Sequence, residues 1–373
     1  MMSTANLQDK ARALSRAARA QTQVEGGEHS VASLLQELDA RRIRYESPPP
    51  KPEQVFKLCG QRICTPGNIS VLSAQAKGGK SGVLGALLAS AVVAQTQVHI
   101  WSDEVIDLLG FESANPTGKA VIVFDTEQAP FDAWRLVEKT MKRAQLDKLP
   151  DNFRCFALSD VSTDNRREML AAELGRAAKE CGGIHAVLVD GVADLCVDPN
   201  DPSESFGLVE ELIHLAVKHH CPILSILHEN PNSGGQGGKT RGHLGSQLER
   251  KAESNLKIAK ATNGVSVLYA ESCRAAHLPR EQGVSFRWDD AESMHITVAV
   301  DPQAKREEQR GNYEDAVKRA FEGQKPELNY SDLVGRIMKL EGKAEPTAKK
   351  WVRNWRELGL VIQDSQSGSY RKV

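Results

Sequence analysis

The stretch AQAKGGKS at residues 74–81 is one residue short of the phosphate-loop pattern, which is Gly, four free residues, then Gly-Lys-Ser or Gly-Lys-Thr. Ala74 stands where the first glycine is expected, and an alanine fits there if the backbone does not need a positive φ. In such a loop Lys80 reaches the β- and γ-phosphates and the Ser81 hydroxyl binds Mg²⁺. The residues predicted to surround the nucleotide are Ala76, Lys77, Gly78, Gly79, Lys80, Ser81 and Gly82.

A phosphate loop needs a buried strand before it and a helix after it, because these elements fix the loop and aim backbone N–H groups at the phosphates. The run NISVLSA precedes the first loop, and the apolar run GVLGALLASAVVA follows it. A second near match, SGGQGGKT at residues 233–240, follows the predicted strand PILSILHE. The polar sequence RGHLGSQLERKAES after it is not expected to pack under a sheet. We therefore interpret residues 74–81 as the nucleotide site and the second stretch as a mobile loop that carries Lys239.

Several polar residues follow other predicted strands. Asp190 ends IHAVLVD, where a carboxylate either orders Mg²⁺ through water or closes a turn before Gly191. An ATPase also needs a carboxylate to orient the attacking water. Glu127 ends AVIVFDTE and is the candidate, while Asp125 competes for the same role. His228 ends PILSILH and either hydrogen-bonds the γ-phosphate or is a core histidine.

The elements that must position these residues form an α/β pattern. From about residue 54 to residue 300, β-branched runs alternate with helical stretches, which predicts a mainly parallel sheet with helices on both faces. The strands from about Asn255 onward, beginning with NLKIAKA, lack long helices between them and predict an antiparallel extension at one edge. The predicted organisation is an N-terminal helical or mobile extension (1–50), an ATPase domain (51–300), a linker or solvated helix start (301–312) and a small C-terminal domain (313–373).

The C-terminal region predicts two helices followed by a β-hairpin, the pattern of a winged helix. In its second helix, the spacing of Trp351, Trp355 and Leu358 predicts a buried face. The exposed face is basic and suits duplex DNA phosphates, although a protein-binding surface is the alternative. The residues predicted to contact DNA from this face are Lys349, Lys350 and Arg353.

The composition limits the other classes of function. The 48 lysines and arginines nearly balance 49 aspartates and glutamates, which argues against a broad surface that coats nucleic acid. Seven cysteines without a CxxC pair indicate free thiols in a reducing compartment and no zinc site, so we expect a cytoplasmic protein. Because the longest apolar run is too short to span a bilayer, no membrane partner is predicted.

Over roughly residues 52–300 the chain resembles the RecA-like ring ATPases, in particular the RepA-type and DnaB-type hexameric helicases. The resemblance rests on AQAKGGKS, FDTEQ, LVDGVADL, LHENPNSGGQGGKTRGHLGS and YAESCR. It implies that Glu127 activates water and that His228 senses the γ-phosphate. It also implies that Lys239 and Arg241 lie near single-stranded DNA in the channel of a ring, and that Arg274 is an arginine finger acting on the neighbouring subunit's ATP.

The sequence departs from that family at three points. Ala74 replaces the first loop glycine, and Ser272 stands where DnaB-type helicases often have a lysine two residues before the finger. No DnaB-type N-terminal domain is present in this sequence. The predicted function is an Mg²⁺- and ATP-dependent DNA translocase or helicase of a plasmid or other mobile element, working as a homo-oligomeric, hexameric ring. A DNA-binding loader and a recombinase-like ATPase without unwinding activity are the alternatives.

Overall fold

A computed structural model defines the structure of most of the chain. It describes residues 31–75, 78–93, 106–229, 242–260, 264–299, 302–323, 327–364 and 367–373, with the side chains of 302–309 left out. The chain divides into two units, Met1–Glu53 and Gln54–Val373. In the first unit, helix α1 (Val31–Ala40) exposes its apolar side chains to solvent. No helix among the described residues is long and apolar enough to cross a membrane.

A nine-stranded sheet forms the centre of the second unit, in the order β12-β11-β10-β9-β3-β8-β7-β5-β6. The six strands from β9 to β6 in that order are parallel, and β10, β11 and β12 extend the sheet in antiparallel pairing. Their bounds are β3 Ile69–Ala74, β5 Ala120–Asp125, β6 Phe153–Ala157, β7 Ile184–Asp190, β8 Ile223–His228, β9 Ser254–Lys260, β10 Ser266–Cys273, β11 Val284–Asp289 and β12 Met294–Thr297.

Helices cover both faces of this sheet, each over its own apolar core. Their bounds are α2 Lys80–Val92, α3 Pro130–Ala144, α4 Thr163–Glu180, α5 Pro202–Lys218 and α6 Gly242–Lys251. Helices α2 and α3 contribute to one core and α4, α5 and α6 to the other. The sheet and its two helical layers confirm the predicted α/β class, a mainly parallel sheet with helices on both faces. The antiparallel extension is present in β10, β11 and β12, whereas β9, which was expected to belong to it, runs parallel to β3.

Two features of this region differ from the sequence interpretation. A small antiparallel sheet of β1 (Phe56–Leu58), β2 (Gln61–Cys64) and β4 (Phe111–Ser113) was not predicted. The polar stretch after residue 241 was expected not to pack under the sheet, and this expectation is wrong. It forms helix α6, whose Leu244 and Leu248 lie one turn apart and are fully buried in the core.

The C-terminal part of the unit has its own apolar core, formed by residues from Tyr313 onward. Helices α7 (Pro302–Phe321), α8 (Tyr330–Glu341) and α9 (Glu345–Glu357) surround it with a three-stranded sheet of order β13-β15-β14. The strands are β13 Glu327–Leu328, β14 Val361–Gln363 and β15 Tyr370–Lys372. The predicted order of helix, helix and hairpin is therefore present.

Residues 301–312 were predicted to be a linker or the start of a solvated helix, and from Pro302 onward they belong to helix α7. One detail of the C-terminal prediction is wrong. Leu358 was expected on the buried face but is 40% exposed, because α9 ends at Glu357 and Gly359 then adopts a left-handed φ of 69°. Trp355 is fully buried, as predicted, and Val352 packs beside it in the core instead of Leu358.

Candidate active site

The predicted phosphate loop, called the phosphate loop below, joins β3 to α2 at the carboxyl edge of the sheet. Ala74 is the last residue of β3 and is fully buried in extended structure, so the alanine fits where the pattern has glycine. Gly79 caps α2 with a left-handed φ of 96°, which favours glycine. Ser81 is exposed in the first turn of α2. Ala76 and Lys77 lie outside the described residues.

Lys80 lies at the centre of a charged cluster formed by the ends of four elements. Its Nζ is 2.8 Å from Asp190 Oδ1, 3.0 Å from Glu127 Oε2 and 3.2 Å from His228 Nε2. The strand register explains the convergence, because Ala74 pairs with His228 and Asp125 pairs with Asp190 at the same edge. The structure therefore brings together the four residues that the sequence predicted at this edge.

Glu127 and Lys80 hold each other in their charged forms. Burial alone would raise the pKa of Glu127, but the hydrogen bond to His228 Nε2 and the positive charge of Lys80 outweigh it and lower that pKa to about 2. Burial would lower the pKa of Lys80, but Asp190 and Glu127 together raise it above its usual value. The carboxylate of Glu127 is consequently ionised at neutral pH, as a group that orients water requires.

The geometry separates Glu127 from its competitor Asp125. Asp125 is fully buried and accepts hydrogen bonds from the backbone N–H groups of Glu127 and Gln128 and from the Gln128 side chain. These contacts hold the turn that follows β5. Asp125 is thus a structural carboxylate, and Glu127, whose side chain is 30% exposed beside Lys80, is the one that can reach a ligand.

Gly191 explains why no second carboxylate follows Asp190 directly. Its φ is 87°, and a Cβ on it would lie 2.3 Å from Thr126 Oγ1 and 2.6 Å from Glu127 Cγ. Thr126 in turn donates to the carbonyl oxygen of Gly191. Only glycine fits this close approach of two strand ends, so a carboxylate side chain cannot directly follow Asp190.

Asp190 and Ser81 fit a magnesium ion. Asp190 Oδ2 is buried and has no hydrogen-bond partner among the described residues, although Oδ1 binds Lys80. Burial raises the pKa of Asp190 more than Lys80 lowers it. Within the described part of the chain no group of three or more His, Cys, Asp or Glu residues could hold a metal. Mg²⁺ on a nucleotide takes one or two protein ligands and completes its shell with phosphates and water, so a hydroxyl and one carboxylate are sufficient.

The loop, Lys80 and His228 line one cleft of roughly 350 Å³. Beyond the loop and His228, the cleft is lined by residues of α3 and of the β11–β12 hairpin, which the sequence did not single out. These residues are Lys139, Arg143, Trp288, Met294 and His295. The hairpin pattern was visible in the sequence, but nothing in it indicated that the hairpin lies over the phosphate loop.

The structure places Arg274 away from this cleft. Cys273 pairs with Ser254 at the start of β9, so Arg274 lies at the amino edge of the parallel strands, opposite the loop. Its side chain is exposed, and Nη2 donates to the carbonyl oxygen of Lys251 at 2.8 Å. Arg274 therefore does not approach the cleft of its own chain, and only a neighbouring copy could bring it to a nucleotide.

The predicted DNA contacts divide into two groups. Lys239 and Arg241 lie outside the described residues, between Glu229 and Gly242. Lys349, Lys350 and Arg353 are all exposed on α9. Lys349 pairs with Glu345 at 2.8 Å and Arg353 with Glu357 at 3.9 Å, both within the same helix.

Comparison with known proteins adds one structural likeness. No protein-family model matches the chain, and no curated protein matches it. Among solved structures, that of the RadB recombinase is similar over 65% of this chain and 95% of the recombinase, with 20% sequence identity and a TM-score of 0.42. The chemistry of the site therefore rests on its own residues.

Proposed function

We propose that the protein is an Mg²⁺-dependent ATPase that drives movement along DNA, a translocase or helicase of RepA type in the replication of a plasmid or other mobile element. The observation that carries this proposal is the cluster of Lys80, Glu127, Asp190 and His228 directly beside the phosphate loop. A lysine for phosphates, a buried carboxylate for a metal and a second carboxylate for water are the groups that phosphate-anhydride hydrolysis needs.

Hydrolysis would begin with an exchange of partners at Lys80. When phosphates bind between the loop and the cluster, Lys80 Nζ turns from Glu127 Oε2 to the phosphate oxygens. Glu127 is then free to accept a proton from the attacking water and to orient it. Mg²⁺, held by Ser81 and through water by Asp190, would neutralise the charge that develops on the phosphates.

His228 offers a route from the nucleotide to DNA. Its Nε2 is 3.0 Å from Glu127 Oε2, and residues 230–241, which carry Lys239 and Arg241, follow it closely in the chain. A change in the partners of Glu127 therefore acts on the strand end from which this segment departs. We propose that Lys239 and Arg241 contact the phosphates of single-stranded DNA.

The C-terminal region supplies a second DNA contact in this proposal. Its helix–helix–hairpin arrangement and exposed basic face resemble a winged helix, with Lys349, Lys350 and Arg353 facing solvent. We propose that it binds duplex DNA. The position of Arg274 at the far edge of the sheet supports a homo-oligomer in which one subunit completes its neighbour's site, and a hexameric ring is the proposed form.

An ATPase assay with a forked-duplex readout tests this function. We expect hydrolysis that single strands stimulate, with displacement of the annealed strand. Lys239→Ala should preserve basal hydrolysis and weaken single-strand binding, and it should reduce the slope of log affinity against log salt by about 0.7. Lys179→Ala, which removes an equal charge from the exposed end of α4, is the matched control. Stimulation without strand displacement would favour the loader or recombinase-like alternative.

A further inference from the structure

The cleft extends past the phosphate loop to an aromatic end. The proposed hydrolysis involves none of the residues at this end. Trp288 on β11 pairs with His295 on β12, and the two rings meet edge to face, with centroids 5.4 Å apart and planes at 79°. Phe286 meets the same imidazole in the same manner at 5.5 Å. Both Trp288 and His295 line the cleft.

The hairpin lies directly on the phosphate loop. A Cβ on Gly82 would be 2.3 Å from His295 Nδ1, and a Cβ on Gly79 would be 2.8 Å from Phe286 Cε2. Glycine at both positions therefore lets the hairpin approach the first turn of α2. This contact fixes the aromatic end next to the groups that hold phosphates.

Three anchors hold the hairpin in that position. Lys142 donates to the carbonyl oxygen of Glu292 in its turn, and the buried Arg143 donates to the carbonyl oxygen of His295. Asp107 Oδ1 accepts from the Thr297 hydroxyl at 2.7 Å. The end of the cleft is thus preorganised, which reduces the ordering cost of binding a ligand there.

Trp288 remains accessible in this anchored frame. It is 44% exposed, and its Nε1–H donates to Asp290 Oδ1 at 2.9 Å, which fixes the orientation of the indole. Lys139 Nζ lies 5.7 Å from the ring centroid. A large, half-exposed and oriented ring beside a phosphate loop matches the needs of a flat aromatic ligand.

We propose that Trp288 is the stacking platform for the purine base of the nucleotide whose phosphates bind at Gly79, Lys80 and Ser81. This inference rests on the proposed function and names the part of the cleft that holds the base. The base would take the place of Lys139 Nζ over the indole, and Lys139 would move to the edge of the base and donate to its N7. Because every base presents a π face, stacking is tolerant of base identity, and adenine and guanine should both be held.

The dissociation constants of Mg-ADP, Mg-GDP and inorganic tripolyphosphate, measured by calorimetry, test the proposal. Trp288→Ala should weaken both nucleotides by about 5- to 150-fold, the effect of losing one base–aromatic stack, and should leave tripolyphosphate binding unchanged. Trp288→Phe should restore most of the affinity. Trp134→Ala removes a similarly exposed tryptophan that does not line the cleft. It should leave the dissociation constants of all three ligands unchanged.

The outcomes separate this inference from the proposed function. Unchanged nucleotide affinity in Trp288→Ala, or an equal loss for nucleotides and tripolyphosphate, would overturn the platform while leaving the ATPase proposal intact. A wild-type protein that binds neither nucleotide nor tripolyphosphate would overturn both. Near-wild-type thermal unfolding of Trp288→Phe would show that its affinities belong to a folded protein.

Discussion

Two buried carboxylates lie at opposite edges of the same sheet, and their surroundings differ. Glu253, at the amino edge, accepts from the Thr65 N–H at 2.8 Å and its hydroxyl at 2.9 Å, and Arg62 lies 3.5 Å from its other oxygen. Asp190, at the carboxyl edge, binds Lys80 with Oδ1, while Oδ2 has no hydrogen-bond partner in the described part of the chain.

The difference distinguishes a carboxylate that holds the fold from one kept for a ligand. A buried polar atom without a partner costs free energy, so it persists only where another requirement maintains it. Both oxygens of Glu253 face donor groups of the protein, two hydrogen bonds to Oε2 and the Arg62 ion pair at Oε1, and the carboxylate ties β9 to the segment after β2. In sequence both residues are acidic groups beside predicted strands, and only their contacts tell them apart.

The largest expected effect is the loss of hydrolysis on substitution of Arg274. It would contradict a purely structural role for the amino edge, because Arg274 lies there. The Arg274 backbone N–H donates to the Glu253 carbonyl oxygen, so Arg274 belongs to that edge. If it acts on a neighbour's ATP, Arg274→Ala should bind ATP normally and hydrolyse it slower by a factor of about 10³–10⁵. Turnover and nucleotide affinity, measured separately, check this, with Arg176→Ala on α4 as an exposed control.

Mixing two inactive variants tests whether Arg274 works between subunits. An Arg274→Ala subunit combined with a Glu127→Gln subunit should recover activity, because some interfaces then join an intact Glu127 to an intact Arg274. If the mixture stays inactive although subunits exchange and assemble, the assignment between subunits fails. If Arg274→Ala alone is fully active, the amino edge is purely structural and Arg241 or Arg280 becomes the candidate.

The next largest effects are expected at the carboxyl edge, where substitutions distinguish the roles of Glu127, Lys80 and Asp125. Glu127→Gln should retain MgATP binding and lower turnover by about 10²–10⁴, because the water loses its base. Lys80→Ala should instead lose nucleotide binding, since the lysine contacts phosphates in the ground state. Asp125→Asn is the matched control and should lower stability more than turnover per folded molecule. Near-normal turnover in Glu127→Gln would transfer the role to another group.

The sequence could predict the charged cluster because parallel strands end at one edge. Asp190 and His228 end such strands, and Lys80 and Glu127 follow others, so their convergence follows from the fold class. The residues alone left Glu127 and Asp125 as competitors, and the family resemblance favoured Glu127. The contacts that separate them could not be predicted, because they depend on which side chain accepts the N–H groups of the turn after β5.

The other differences come from long-range packing. Trp288 and His295 reach the phosphate loop only because three antiparallel strands carry the chain back across the edge of the sheet. Helix α6 is buried through Leu244 and Leu248, two apolar residues in a polar stretch. Local composition and periodicity show which residues are apolar, but they do not specify which distant surface those residues pack against.

A smaller effect is expected from the satisfied carboxylate at the amino edge. Glu253→Gln removes the negative charge that both Thr65 donors and Arg62 face, and its NH₂ group has no acceptor in place of one carboxylate oxygen. This should cost about 1–3 kcal/mol in free energy of unfolding. Turnover per folded molecule should not change. Urea unfolding together with the ATPase assay measures both quantities. A loss of turnover with full stability would contradict the structural assignment.

The smallest effect on stability is expected for Asp190→Asn. The sign of its change in free energy of unfolding distinguishes Asp190 from Glu253 most clearly. Burial raises the pKa of Asp190 above its ordinary value of 3.8, so the folded state favours the neutral form. The stability contributed by that neutral form is fully present below pH 3.8 and is lost as the pH rises through the folded-state pKa.

Asparagine resembles the neutral acid, does not titrate and keeps an oxygen for Lys80. Asp190→Asn should therefore be at least as stable as the wild type at pH 7, and the difference should close as the pH falls towards 3.8, while Mg²⁺-dependent hydrolysis is lost. Urea unfolding at pH 7, 6, 5 and 4 checks this, and a variant clearly less stable than the wild type at pH 7 would place Asp190 with Glu253 among the carboxylates that hold the fold.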